Sequence, residues 1–181
     1  GDLSQRSQPA VMQYLQGFNV VQVVCGAYHT LILTDFGELY TTGLNTNGQL
    51  GHGDEVSRKT PTLVESLRSA NVSAVAAGDY ASYAISDKGE VYSWGNNAFR
   101  QLGQGNVTSN FLVPTRIEMF ADLGTAVYRM FGGQRTVFAV DASSDVFAIG
   151  NNDYGMLGLG DETSRATPAK LNAFIGENVY A

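Results

Sequence analysis

The sequence is poor in the residues that most directly announce a chemistry. It holds one cysteine, Cys25, in 181 residues, so no internal disulfide framework can form, and a reducing compartment, cytoplasmic or nuclear, fits. Its two histidines, His29 and His52, cannot assemble a zinc site of the usual ligand spacing with a single thiol. Basic residues are outnumbered, eleven Lys and Arg against seventeen Asp and Glu, for a formal net charge of −6. They are also scattered, with Arg58-Lys59 the only adjacent pair. A surface that tracks phosphates needs clustered positive charge, so direct nucleic-acid binding is not expected. No apolar run approaches the roughly 18 residues that span a bilayer, so no membrane contact is expected, and no basic-then-apolar stretch at the start reads as a signal peptide. Two glycosylation-type triplets, Asn71-Val72-Ser73 and Asn106-Val107-Thr108, are what chance gives among twelve asparagines.

What the sequence does have is glycine, twenty-one of them, and their spacing carries the information. Gly26, Gly78 and Gly133 each precede a second glycine by 17 residues, at Gly43, Gly95 and Gly150. Seven residues later comes a Leu-Gly pair, Leu50-Gly51, Leu102-Gly103 and Leu157-Gly158. A proline follows that leucine after 11, 12 and 11 residues, at Pro61, Pro114 and Pro168. The chain is thus a tandem repeat, with units at 1–52, 53–104 and 105–159 and the start of a further unit at 160–181. The recurring glycines are expected to be structural, each serving a tight turn or a close approach of backbone.

Each unit reads as a meander of short strands. Val20–Val24 is a β-branched run, Thr30–Leu33 a second, Glu38–Thr41 a third. Asp35-Phe36-Gly37 and Asp87-Lys88-Gly89 are hairpin turns with glycine at the position needing positive φ. In the third unit Ser144 replaces that glycine, so its turn is expected to differ. Pro61-Thr62-Leu63-Val64 and its counterparts read as outer strands, where proline is tolerated. Short turns fit Leu63–Ala70 and Met119–Gly124. Four short strands per fifty-odd residues is the pattern of propeller blades, so the expected fold is all-β, a partial β-propeller of three four-stranded blades.

The motifs resemble the repeat of the regulator of chromosome condensation family. They are Cys25-Gly26-Ala27-Tyr28-His29-Thr30, Gly37-Glu38-Leu39-Tyr40, Asn47-Gly48-Gln49-Leu50-Gly51-His52-Gly53-Asp54, and Gly89-Glu90-Val91-Tyr92-Ser93-Trp94-Gly95-Asn96-Asn97. The resemblance implies a seven-bladed ring, of which three units are under half. It places His29 where the family commonly has histidine, in a structural hydrogen-bonding role. Cys25 aligns with Ala77 and Gly132, both small, which predicts a buried packing role. The chain departs from the family pattern at Arg100, which stands where the other units have Gly48 and Gly155, and at the tryptophan position, filled only by Trp94. An ultraviolet-sensing member, which relies on clustered tryptophans, is therefore not expected.

Nothing in the sequence supports catalysis. Gly51–Asp54 and Gly158–Asp161 lack the lysine and following helix of a phosphate-binding loop, and Asn151-Asn152-Asp153 lacks a full calcium ligand set. No catalytic residue, metal site or cofactor is expected. Strand alternation instead places the loops around Ala27–His29 and Asn45–His52 at one end of the unit. That face is expected to present Tyr28, His29, Asn45 and Asn47; Asp79, Tyr80, Asn97, Phe99 and Arg100; and Arg135, Asn152, Asp153 and Tyr154 to a protein partner. The resemblance implies a non-catalytic protein–protein interaction module, with small GTPases and ubiquitin-pathway, cytoskeletal or ciliary components as partner classes. The alternative it implies is a guanine nucleotide exchange factor for a small GTPase, which usually carries a wedge-like insertion that the near-equal unit lengths do not show.

Overall fold

A computed structural model describes residues 7, 8 and 11–172. Twelve strands form three four-stranded antiparallel sheets, each a simple meander. The first holds β1 Val20–Cys25, β2 His29–Thr34, β3 Leu39–Gly43 and β4 Arg58–Leu63. The second holds β5 Val72–Ala77, β6 Ala81–Ser86, β7 Val91–Gly95 and β8 Phe111–Arg116. The third holds β9 Val127–Gly132, β10 Thr136–Asp141, β11 Val146–Gly150 and β12 Arg165–Lys170. The two stretches read as short turns carry a 3-10 turn at Glu65–Leu67 and the single-turn helix α1, Glu118–Asp122. The unit boundaries after residues 52, 104 and 159 fall inside the sheets, between the third and fourth strands, because a repeating frame can be divided anywhere.

The middle strands are buried on both faces, which is why they read as near-continuous apolar runs; every residue of β6 is buried. Leu31, Leu33 and Leu39 of the first sheet pack on Val75, Ala77 and Trp94 of the second. Tyr83 and Ile85 of the second, with Leu102 of its long loop, pack on Met130, Val137 and Ile149 of the third. Successive sheets are therefore stacked face to face through apolar contacts. Polar bridges supplement them: the Gln22 side chain donates to the Val75 carbonyl and accepts from the Val75 amide, both at 3.0 Å, satisfying one backbone pair on the neighbouring strand.

The same stacking corrects the expectation for Cys25, which is exposed. Its counterpart Ala77 belongs to the apolar layer between the first and second sheets. Val23 and Cys25 hold the equivalent positions on β1, on the face that no sheet covers among the described residues.

The third hairpin turn is also corrected. Ser144 adopts φ 65°, the conformation of Gly37 at 71° and Gly89 at 77°, so the turn is kept and the serine bears the strain. The buried Asp141 carboxylate fixes it by accepting from the amides of Ser143 and Asp145, both at 2.9 Å, and from the Thr125 hydroxyl. Ser144→Gly is expected to stabilise the chain by roughly 0.5–1 kcal/mol, the relief of left-handed strain less the larger unfolded-state freedom of glycine. A melting temperature about 2 °C higher would register it.

Candidate functional site

The loops after the first and third strands of every sheet meet at one end. The amide after each third strand donates to the carbonyl of the first loop, Leu44 to Tyr28 at 2.8 Å, Asn96 to Tyr80 at 2.9 Å and Asn151 to Arg135 at 3.0 Å. The long loop is then wound around one asparagine. Asn45 Oδ1 accepts from the Leu50 amide at 2.8 Å while its Nδ2 donates to the Asp54 carbonyl at 2.8 Å. Asn97 does the same with Leu102 at 3.1 Å and Val107 at 2.8 Å, and Asn152 with Leu157 and Asp161, both at 2.8 Å. The backbone amide of the same asparagine donates to the side-chain oxygen of Ser57 in the first loop, Asn110 in the second and Ser164 in the third.

These three asparagines are fully buried or nearly so, as is His29. The expectation that the face presents His29, Asn45, Asn97 and Asn152 is therefore corrected. A loop of this length must satisfy its own amides and carbonyls where it turns away from water, and the asparagine side chain does so. Two loops add an ion pair that sequence reading missed, forked in the first. Arg58 grips Asp54 through Nη1 at 3.0 Å and Nη2 at 2.8 Å, and Arg165 holds Asp161 at 2.7 Å. These arginines hold both carboxyls below the usual carboxylate range. The spacing Asp-x-x-x-Arg, present in the first and third loops, was the available signal.

His29 reaches across to the second sheet, its Nε2 lying 2.8 Å from Ser82 Oγ. Ser82 donates to the Gln49 carbonyl at 2.7 Å, and Trp94 Nε1 donates to the same oxygen at 2.9 Å. With the serine proton committed, His29 must donate through Nε2, which fixes its tautomer. Burial pulls its pKa down to about 4. His52 is held likewise: Thr41 Oγ1 donates to the Leu50 carbonyl at 2.8 Å and lies 2.9 Å from His52 Nε2, and desolvation lowers that pKa to about 4.

The other named residues stand at the surface or partly so. Tyr28, 63% exposed, and Tyr80 are tilted against one another with ring centroids 5.8 Å apart. Arg135, which occupies the equivalent place in the third sheet, turns back to lie 4.1 Å from the Phe99 ring centroid. Asn47, Phe99 and Tyr154 hold equivalent places in the three long loops; Asn47 accepts from Asn96 at 3.1 Å and Asn110 at 3.3 Å, while Tyr154 is 88% exposed. Arg100 and Asp79 are half-buried and Asp153 is exposed. Among the described residues no three His, Cys, Asp or Glu side chains gather in a metal-binding group, and no helix is long and apolar enough to cross a membrane.

The frame and its loops are those of known proteins. The chain is 36% identical over 180 residues to the ultraviolet-B receptor UVR8 of Arabidopsis thaliana, covering 99% of this chain and 40% of that protein. It is 32% identical over 183 residues to the human E3 ubiquitin-protein ligase HERC2, covering all of this chain and 4% of the ligase. The crystal structure of human WBSCR16 superposes with a TM-score of 0.78 at 31% identity, over 88% of this chain and 40% of that one. Trp94, the chain's one tryptophan, is a buried strut between sheets. The regulator of chromosome condensation (RCC1) repeat matches residues 1–33, 37–85, 88–140 and 143–180; the two middle matches run from hairpin turn to hairpin turn and so join the last two strands of one sheet to the first two of the next. With nearly every residue inside one of those four matches, the chain belongs to the RCC1 repeat family, and its three sheets are blades of a partial β-propeller.

Proposed function

We propose that the chain is a non-catalytic protein–protein interaction module of a larger repeat or multidomain protein, and that it receives a protein partner on its loop face. The observation that carries this reading is a division of labour within the loops. Residues that hold each loop in shape recur in register, Asn45, Asn97 and Asn152 above all, whereas residues exposed or half-exposed at equivalent places change: Tyr28, Tyr80 and Arg135; Asn47, Phe99 and Tyr154. A fixed frame bearing varied, aromatic-rich tips is how recognition surfaces are built. The relatives support it, one bearing the name of a receptor and another that of a ubiquitin ligase of which this match spans 4%. The lone, unpaired cysteine supports a cytoplasmic or nuclear setting.

The test is site-specific photo-crosslinking from Tyr28 and Tyr154 on the loop face and from Phe36 at the opposite end, where it is 77% exposed. Discrete protein adducts from the first two positions and none from Phe36 are expected; adducts from Phe36 alone would refute the assignment of the face. Stimulated nucleotide release from any member of a panel of small GTPases would overturn the non-catalytic part of the reading.

A further inference from the structure

On a chain of net charge −6, the loop face carries two guanidinium groups that no carboxylate neutralises. Arg58, Arg68, Arg116 and Arg165 are each ion-paired. Arg100 and Arg135 have no such partner among the described residues. Arg100 follows Phe99 in the chain, and Arg135 lies over the Phe99 ring at 4.1 Å from its centroid.

Arg100 is held there against local preference in two ways. Its backbone is in the left-handed region at φ 59°, at a place that Gly48 and Gly155 fill in the other loops with φ 75° and 69°. Its Nε is buried without a hydrogen bond. The residue that crowds this place in the first loop has a smaller counterpart in the next blade. A Cβ on Gly48 would fall 2.5 Å from Leu112 of the second sheet, and the residue equivalent to Leu112 in the third sheet is Ala166. Gly53 and Gly105 confirm that register, their amides donating to the carbonyls of Leu112 and Ala166. A strained arginine admitted by a smaller neighbour and left unpaired points to a ligand.

We propose that Arg100, with Phe99 and Arg135, is an anchoring site for an acidic peptide segment of the protein partner, one carboxylate taking the Arg100 fork while neighbouring apolar residues of the peptide lie on Phe99 and Tyr154. Arg135 contributes positive potential and holds the ring. The planar fork matches a carboxylate in two parallel hydrogen bonds, as Arg58 already shows with Asp54 in the same protein. Asp79 and Asp153 on the same face repel a continuous polyanion, so an isolated carboxylate set among apolar residues is favoured over a nucleic acid. The proposal rests on the loop face being an interaction surface and names what that surface selects.

The test uses fluorescence anisotropy with a labelled peptide alternating glutamate with phenylalanine and glycine, beside glutamine and lysine versions of it. Arg100→Gly restores the residue that the other loops carry, so it keeps or improves stability. Loss of a charge-assisted, bidentate contact weakens binding about tenfold or more. Binding of the glutamate peptide alone, weakened to that degree by Arg100→Gly and partly by Arg100→Lys, is the expected result. Equal binding of the glutamine peptide, an unchanged affinity in Arg100→Gly, or no binding at all overturns the proposal. Photo-crosslinks from Tyr154 that survive Arg100→Gly would sink the acidic-segment assignment while leaving the interaction face standing; absence of crosslinks from both Tyr28 and Tyr154 would remove the face itself.

Discussion

Gly150→Ala is expected to cost the fold about 2–5 kcal/mol, the sum of a left-handed backbone penalty and an overpacking penalty that the site cannot relax. A methyl group there would lie 2.3 Å from the Arg135 carbonyl oxygen, with φ held at 108°. The obstacle is backbone, and that carbonyl is committed to the Asn151 amide at 3.0 Å, so moving it breaks the junction of the two loops. The same geometry recurs at Gly43, 2.4 Å from the Tyr28 oxygen, and at Gly95, 2.5 Å from the Tyr80 oxygen. Gly160→Ala supplies the contrast, since φ is 82° but nothing lies within 4 Å; strain alone should cost about 1–2 kcal/mol. Chemical denaturation of both variants separates the terms. A Gly150→Ala protein no less stable than Gly160→Ala would show that the loop junction is soft. Against a total stability of roughly 5–15 kcal/mol, the larger effect removes a substantial share of the folded state.

This contrast also marks how far the sequence could be read. The glycine ruler located all three sheets because the backbone approaches that demand glycine recur once per blade. Hairpins and outer strands followed from Asp-x-Gly and from proline. Ser144 misled because a composition rule treats the absence of glycine as a different turn. Here three hydrogen bonds to Asp141 hold the backbone in place regardless. Cys25 misled for a different reason: small residues at equivalent positions predict burial only where both faces of the sheet are covered.

The candidate face was legible in its placement and partly mistaken in its membership. Strand alternation put the right loops together. It could not separate residues that build a loop from those that the loop displays, because Asn45 and Asn47 are both polar and both in a turn. Repetition separates them. An asparagine found in all three loops, two residues after the same glycine, is doing the same internal job three times. Asn47, Phe99 and Tyr154 share a place and differ in residue type, so the frame does not require any one of them. His29 escapes that rule, since Ala81 and Thr136 replace it; its buried bond to Ser82 belongs to one junction only and has no sequence period to reveal it.

That junction makes the chain acid-sensitive. The folded His29 has a pKa near 4 against 6.5 for the free side chain, so between those values the unfolded chain takes up a proton that the folded chain refuses. Stability contributed by the neutral imidazole is whole above pH 6.5 and declines as pH falls towards 4, by up to about 1.4 kcal/mol per pH unit and roughly 3 kcal/mol in all. The cause is geometric as well as dielectric. A second proton on His29 would sit on Nδ1, which is buried without a partner and packed so closely that a Cβ on Gly26 would fall 2.5 Å from it. His52 adds to the slope in the same direction, desolvation and Arg58 both opposing its charge. Denaturation curves between pH 7 and 4 should therefore show a loss that His29→Gln flattens, since the glutamine amide can still donate to Ser82 and does not titrate. A slope unchanged by that substitution would mean the imidazole finds a home for its second proton. Because His29, Ser82, Gln49 and Trp94 tie the first sheet to the second, the loss should begin with separation of those two blades, and Trp94, fully buried at their contact, is the chromophore that reports it.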